Sequence, residues 1–333
     1  MGGGNWSKDF YEEAAKTRAA KGVDAFAYTS AVAAGKTAAK VHDLMDPKGV
    51  KVREARDGTD HPDSVPIILA LDVTGSMGSV VRTIQAKLGT VMTLLVQKGY
   101  ITHPQICAFG IGDARSDTAP LQVGQFESDN RIEQWLSEYL WIERGGGGQS
   151  PPSESYALAM YFAARHTAHD AHDLRGRSGY LFMIGDEQAY PIDPREVEKV
   201  IGDKIGEPIS VRAIREETKR LYNPFMIIPR NAANGGDSDV EAYWVENLGR
   251  EHVIMLDDAA AVAETIATAI GLCEGTVDLD GAATDLAAAG VSTALVKTVT
   301  SAVSDLAARG ALAKVSGGGL TKGSTGPART ERL

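Results

Sequence analysis

Polar and apolar positions change texture twice along the chain. From Ser7 to Ala20 the residues are charged and Ala-rich, and Phe10, Tyr11 and Ala14 give a partial apolar face. That pattern predicts a helix. Ala25 to Leu44 repeats the character around Gly35, so the first 45 residues read as helical. The stretch 46–64 (DPKGVKVREARDGTDHPDS) mixes Pro, Gly and charge and reads as a linker or an extended lead.

A second texture begins at Val65. The run Val65 to Leu71 (VPIILAL) is short, continuous and apolar, which suits a strand buried on both faces. Similar runs recur at Gln105 to Ile111, Tyr180 to Ile184, Phe225 to Ile228 and Val253 to Leu256, with Leu121 to Phe126 as an edge candidate. Helical patterns fall between them, at 80–98, 131–142, 154–167, 196–201, 211–221, 240–248 and 259–272. Strands that alternate with helices over this length predict an α/β fold: a doubly wound, mainly parallel sheet with helices on both faces. In such sheets ligands bind beyond the carboxyl ends of the strands.

After Gly275 the chain becomes Ala-rich helix, and Val291, Leu295, Val299, Val303 and Leu306 form one stripe at helical spacing. That stripe reads as a helix laid on the main domain, with partner binding as the alternative. From Ser316 the sequence SGGGLTKGSTGPARTERL has no apolar face and reads as disordered. The expected organisation is a helical extension with linker (1–61), an α/β domain (62–275), a helical extension (276–315) and a tail (316–333).

Composition narrows the function. The 333 residues carry 34 Lys+Arg against 44 Asp+Glu, a net charge of −10. An acidic chain does not suit nucleic acid or an anionic membrane surface. Cys107 and Cys273 form no C-x-x-C pair, so neither a zinc ribbon nor a disulfide framework is expected. No apolar stretch approaches a membrane span, and the opening segment lacks a secretory apolar core. The expected compartment is the cytoplasm.

The chemistry concentrates in D-V-T-G-S-M at 72–77. Asp72 closes a buried strand, and Thr74 and Ser76 follow two and four residues later. A tight loop of that spacing converges one carboxylate and two hydroxyls, a donor set for Mg²⁺, Mn²⁺ or Ca²⁺. The same residues are also ordinary turn formers. Two further pieces join them: the loop GGGGQSPPSES, which leads into a helix at Glu154, and Asp186, which follows the strand ending at Ile184.

With those three loops the chain resembles the von Willebrand factor type A (VWA) family over about residues 62–273. The family's metal-ion-dependent adhesion site (MIDAS) uses D-x-S-x-S after the first strand, a Thr in a later Gly-rich loop and an Asp after the fourth strand. The resemblance carries Asp72, Thr74 and Ser76 onto the first motif and Asp186 onto the last, where the residue typically acts through water. Glu154 stands where the family has Thr, with Ser150 and Ser153 as nearby hydroxyl alternatives. A Glu there would hold a divalent cation more tightly and weaken capture of a partner's carboxylate. Alternatively, Glu154 is a helix-start acid favoured by the dipole. The implied function is a metal-dependent protein–protein binding module and not an enzyme, an adaptor of cytosolic bacterial type working beside a MoxR-type AAA+ ATPase.

Two other readings stay open. D-V-T-G-S also resembles the D-K-T-G-T motif of P-type ATPases and haloacid dehalogenase-like enzymes. In that reading Asp72 would be the nucleophile of a phosphotransfer reaction and Gly185-Asp186 would hold Mg²⁺. The other reading is an assembly subunit that works through its terminal helices. Elsewhere, His166 and His169 could share a transition metal, but the run RHTAHDAHD reads more simply as a solvated helix end. Trp135, Tyr139 and Trp141 read mainly as core.

Overall fold

The computed structural model describes residues 5–22, 24–75, 77–143, 145 and 150–308. In chain order the helices are α1 (Lys8–Ala20), α2 (Ala27–Ala33), α3 (Gly78–Met92), α4 (Arg131–Gln134), α5 (Tyr156–Arg165), α6 (Asp170–Arg175), α7 (Pro194–Val200), α8 (Val211–Thr218), α9 (Ser238–Leu248), α10 (Val262–Glu274), α11 (Leu279–Ala288) and α12 (Thr293–Ala302). The strands are β1 (Arg53–Ala55), β2 (Val65–Asp72), β3 (Pro104–Ile111), β4 (Leu121–Val123), β5 (Ser153–Glu154), β6 (Thr167–His169), β7 (Gly179–Ile184), β8 (Gln188–Ala189), β9 (Tyr222–Pro229) and β10 (Val253–Leu256).

Six strands form the central sheet, in the order β10-β9-β7-β2-β3-β4. All neighbours run parallel except β4, which pairs antiparallel with β3 at the edge. The continuous apolar runs are strands because both faces of the sheet are covered. Along β2, Ile67, Leu69 and Leu71 enter one buried cluster, and Ile68 and Ala70 enter a second on the opposite face. The first cluster holds α3 and α10, and the second is filled by α5 and α9. From β2 the chain runs outward to β3 and β4, then returns to β7 on the other side of β2. The order therefore reverses between β2 and β7, the position at which sheets of this kind bind ligands beyond the strands' carboxyl ends.

Helix starts follow their capping residues. The side chains of Ser7, Asp193, Ser210, Asp237, Asp278 and Ser292 each accept a hydrogen bond from a first-turn backbone N–H of the helix that follows. The terminal segments share the main core. Tyr11 donates from its hydroxyl to the Gln85 carbonyl (2.5 Å) and lies against Gly89. Phe26, Met45, Leu286, Val299 and Val303 join the same cluster as Leu69. Val291, Leu295 and Leu306 lie against that cluster too, so the late apolar stripe packs on the main domain, with α12 at its centre.

Several local expectations need correction. The helix expected through Leu44 ends at Ala33. The linker contains β1, which pairs with β6. The helix expected over 131–142 is one α turn followed by a π turn over 135–139, and the edge strand stops at Val123. The strands missed from the sequence have two or three residues, too few to carry a period. The tail from 316 lies outside the described residues.

His166 and His169 are not at a solvated helix end. The His166 ring bonds the Asp203 carboxylate (2.8 Å) and the Val50 carbonyl (2.9 Å). His169 is fully buried, accepting at Nδ1 from the His172 N–H and donating from Nε2 to the Leu221 carbonyl. Both rings are structural. Cys107 is buried in β3, and burial pushes its thiol up. Trp141 is buried, while Trp135 and Tyr139 are partly buried against the core.

Candidate functional site

Register places Asp72 and Asp186 together. Leu71 of β2 lies opposite Ile184 of β7, so Asp72 and Asp186 leave adjacent strands at the same sheet edge. Both are buried, Asp72 at 1% exposure and Asp186 at 0%. Asp72 Oδ1 accepts from the Thr74 N–H (2.9 Å) and the Thr74 hydroxyl (2.6 Å), an Asx-type turn that folds the loop back on the strand end. Asp186 Oδ2 accepts from the Asn234 N–H (2.8 Å), in the loop after β9. Ser76 lies outside the described residues, and so do residues 146–149 of the Gly-rich loop.

The third loop arrives through β5. Ser153 and Glu154 pair in parallel with Gln188 and Ala189, just after Asp186, so Glu154 sits in a strand pair and not in a helical turn. The helix begins at Tyr156. Glu154 is 1% exposed, and its Oε2 has no hydrogen-bond partner. Of the hydroxyl alternatives, Ser153 is tied to the Pro151 carbonyl (3.1 Å) and Ser150 is exposed. The loop after β3 closes the other side. Asp113 and Asp117 are buried, and the Gly112 carbonyl and Ala114 N–H both bond to Ser155. The Gly145 carbonyl accepts from the Gly75 N–H (3.0 Å), tying the Gly-rich loop to the Asp72 loop.

Six carboxyl groups thus gather at one edge: Asp72, Asp113, Asp117, Glu154, Asp186 and Glu187. Their electrostatics are uniform in sign. Burial first, then Asp72, Glu187, Asp117 and Asp113, raise Glu154 to about 10. Burial, followed by Asp72 and Asp186, raises Glu187 to about 7. Asp72 rises to about 6 through burial and Asp186, against the lowering effect of its hydrogen bonds. Such mutual repulsion in a low dielectric favours either protons or a cation. Among the described residues no three His, Cys, Asp or Glu side chains come together closely enough to hold a metal ion by themselves.

Tyr156, Asp113, Asp117 and Glu187 were missed from the sequence as members of this site. Tyr156 donates its hydroxyl to Asp72 Oδ2 (2.8 Å), and its ring stands edge-on to Trp244. A Cβ on Gly185 would collide with that hydroxyl, so the Gly before Asp186 makes room for the bond. Nothing in the sequence marks Tyr156, which reads as one more apolar helix residue. Glu187 and Asp113 carried a usable signal, since each lies within three residues of a buried strand's carboxyl end.

No family model matches the chain, and no curated protein matches it. Among solved structures, the chain is similar to the pilus adhesin SpaC from Lactobacillus rhamnosus GG in its open conformation, at 12% identity and a TM-score of 0.42, covering 68% of this chain and 31% of that one. A second form of the same adhesin matches equally, with 32% of its chain covered. The chain spans about a third of the length of these neighbours. Among the described residues no helix is long and apolar enough to cross a membrane.

Proposed function

We propose that the chain is a VWA-type binding module whose crevice between β2 and β7 holds one divalent cation, Mg²⁺ or Mn²⁺ before Ca²⁺. The observation that carries the reading is the buried Glu154 Oε2, unpartnered and surrounded by carboxylates at a topological switch point. A buried acid set among like charges is costly without a counter-ion. The donors fit a hard cation that keeps some of its waters: carboxylate oxygens from Asp72 and Glu154, the Thr74 hydroxyl, and Asp186 through water. Ser76 completes the motif by resemblance.

Each residue then has a task. Asp72 and Glu154 supply charge from two loops, and Thr74 turns its hydroxyl and N–H toward Asp72. Tyr156 holds the second Asp72 oxygen in place. When bound, the cation supplies a Lewis-acidic centre that a partner's carboxylate or a water can complete. Because Glu154 brings a carboxylate where the family has a hydroxyl, the site is self-sufficient, and its occupancy chiefly fixes the three loops that a protein partner meets. An adaptor role beside a MoxR-type AAA+ ATPase belongs to this reading through the resemblance.

The test is calorimetric titration of Mg²⁺, Mn²⁺ and Ca²⁺ into chelator-stripped protein, beside Asp72→Ala and Glu154→Gln. One-site binding lost in Asp72→Ala is the expected result. Absence of binding to folded wild-type protein sinks the reading. A beryllofluoride adduct on Asp72 with Mg²⁺ would instead favour phosphotransfer.

A further inference from the structure

Outside the acidic crevice, a second pair of metal-ligating side chains meets at the opposite end of the sheet. His61 precedes β2 and His103 precedes β3. Their Nδ1 atoms lie 3.3 Å apart, with the ring planes 79° to one another. His61 is buried at 7% exposure. Both rings are held by their backbones. The His61 and Gly58 peptides exchange two hydrogen bonds of 3.1 Å. The His103 carbonyl accepts from the Val65 N–H (3.1 Å), locking it to the start of β2.

His103 also has φ +46°, the one positive φ among the described non-glycine residues. A side chain is strained in that region, and such strain persists where the surroundings hold it and gathers at functional positions. Here it turns the His103 ring toward His61. A metal bound to two imidazole nitrogens at about 2.0–2.1 Å in tetrahedral geometry sets them about 3.3–3.4 Å apart. The separation of the two Nδ1 atoms already matches that edge.

We propose that His61 and His103 form a two-histidine site for a divalent transition ion, Zn²⁺ in particular, independent of the cation crevice. Without metal, the two rings share one Nδ1 proton in an N–H···N bond. On binding, the donor ring changes tautomer, its proton passing to its own Nε2 through water. Both Nδ1 lone pairs then face the metal, with no net proton released. Imidazole ligands select Zn²⁺ over Mg²⁺, the reverse of the carboxylate crevice. Water fills the other positions, and Asp129 lies within electrostatic reach of His61 to balance the charge. Bound metal would staple the loop before β2 to the loop before β3.

The experiment is Zn²⁺ titration into the untagged full chain in excess Mg²⁺, with Co²⁺ absorption as a readout of four-coordinate geometry. His61→Gln and His103→Asn are the variants, the second chosen because Asn tolerates a left-handed backbone. The expected result is one bound equivalent, weakened about tenfold or more in each variant and unchanged in Asp72→Ala. Wild-type affinity in a folded His61→Gln protein overturns the proposal, whatever becomes of His103→Asn. So does Zn²⁺ that Mg²⁺ displaces and Asp72→Ala abolishes, since that metal would sit in the crevice.

Discussion

The two ends of β2 treat acidic residues in opposite ways. At its start, four nearby carboxylates meet guanidinium groups: Arg56 bonds Glu54, Asp170 and Asp173, and Arg175 bonds Asp57 and also the Ser64 carbonyl. At its end, Asp72 meets Asp186, and Glu154 meets Asp72, Glu187, Asp117 and Asp113. The burial differs too. The first group is partly exposed, while Asp72, Glu154 and Asp186 are at most 1% exposed. Carboxylates pair with cations where solvent already screens them, and Asp72, Glu154 and Glu187 are crowded by other carboxylates where burial is deeper. A fold under selection for stability alone would do the reverse. The contrast sets ion-paired acids at the start of β2 against crowded, buried acids at its end, where the cation reading is proposed.

The sharpest way to break that contrast is Asp72→Ala. It should lower Mg²⁺ affinity about 100-fold or more, equal to about 2.7 kcal/mol, while the circular dichroism spectrum stays native. Affinity within a few-fold of wild type would mean that the end of β2 is not a cation site.

Acid and base should act on the two ends with opposite sign. In metal-free protein Asp72 sits near 6, Glu187 near 7 and Glu154 near 10, all raised by burial and by neighbouring carboxylates. Groups raised in the fold contribute stability that is full below about pH 4 and lost as pH rises through 6 and 7. Asp57 and Asp173 are instead held below the usual range, with Arg175 bonding the first and Arg56 the second, so their contribution is lost as pH falls below about 4. Metal-free protein should therefore melt about 5 °C or more higher at pH 5 than at pH 8, and saturating Mg²⁺ should flatten the difference. Differential scanning calorimetry with and without chelator reads both. A metal-free Tm that rises from pH 5 to pH 8 contradicts the crowding of unbalanced charge.

Glu154→Gln separates charge from shape. The amide resembles the protonated acid that the metal-free fold favours, so metal-free Tm should hardly move. Mg²⁺ affinity should fall about tenfold, near 1.4 kcal/mol, in the same titration. Equal affinities would return Glu154 to a purely local role beside β8. At the other end, Arg56→Ala should cost about 1 kcal/mol in urea denaturation and leave Mg²⁺ binding untouched. A change in the binding isotherm would couple two ends described above as separate. The smallest effect belongs to Tyr156→Phe. Removing the hydroxyl that holds Asp72 Oδ2 should change Mg²⁺ affinity only a few-fold, under about 1 kcal/mol.

Much of this was legible from residues alone. The runs at 65–71, 105–111, 180–184, 225–228 and 253–256 are strands because a sheet covered on both faces needs unbroken apolar residues, and that need writes itself into local sequence. Asp72, Thr74 and Asp186 were found by the same logic, since strand ends and turn residues are local signals. Tyr156 and Asp117 were not. Their roles depend on atoms that reach them from loops and strands far along the chain, such as Asp72 for Tyr156 and Gly145 for Asp117. The short pairs β1–β6 and β5–β8 escaped for a related reason: two or three residues carry no period, and only the partner strand makes them strands.

The sequence by itself determined the α/β class, the strands of the central sheet and which strand-end acids face its carboxyl edge, because each rests on patterns within a few residues. The tertiary structure alone decided that Glu154 enters in a strand pair with an orphaned oxygen, that His166 and His169 are structural, and that His61 meets His103. Those outcomes depend on which distant segments share a low-dielectric space, and neither periodicity nor spacing encodes that.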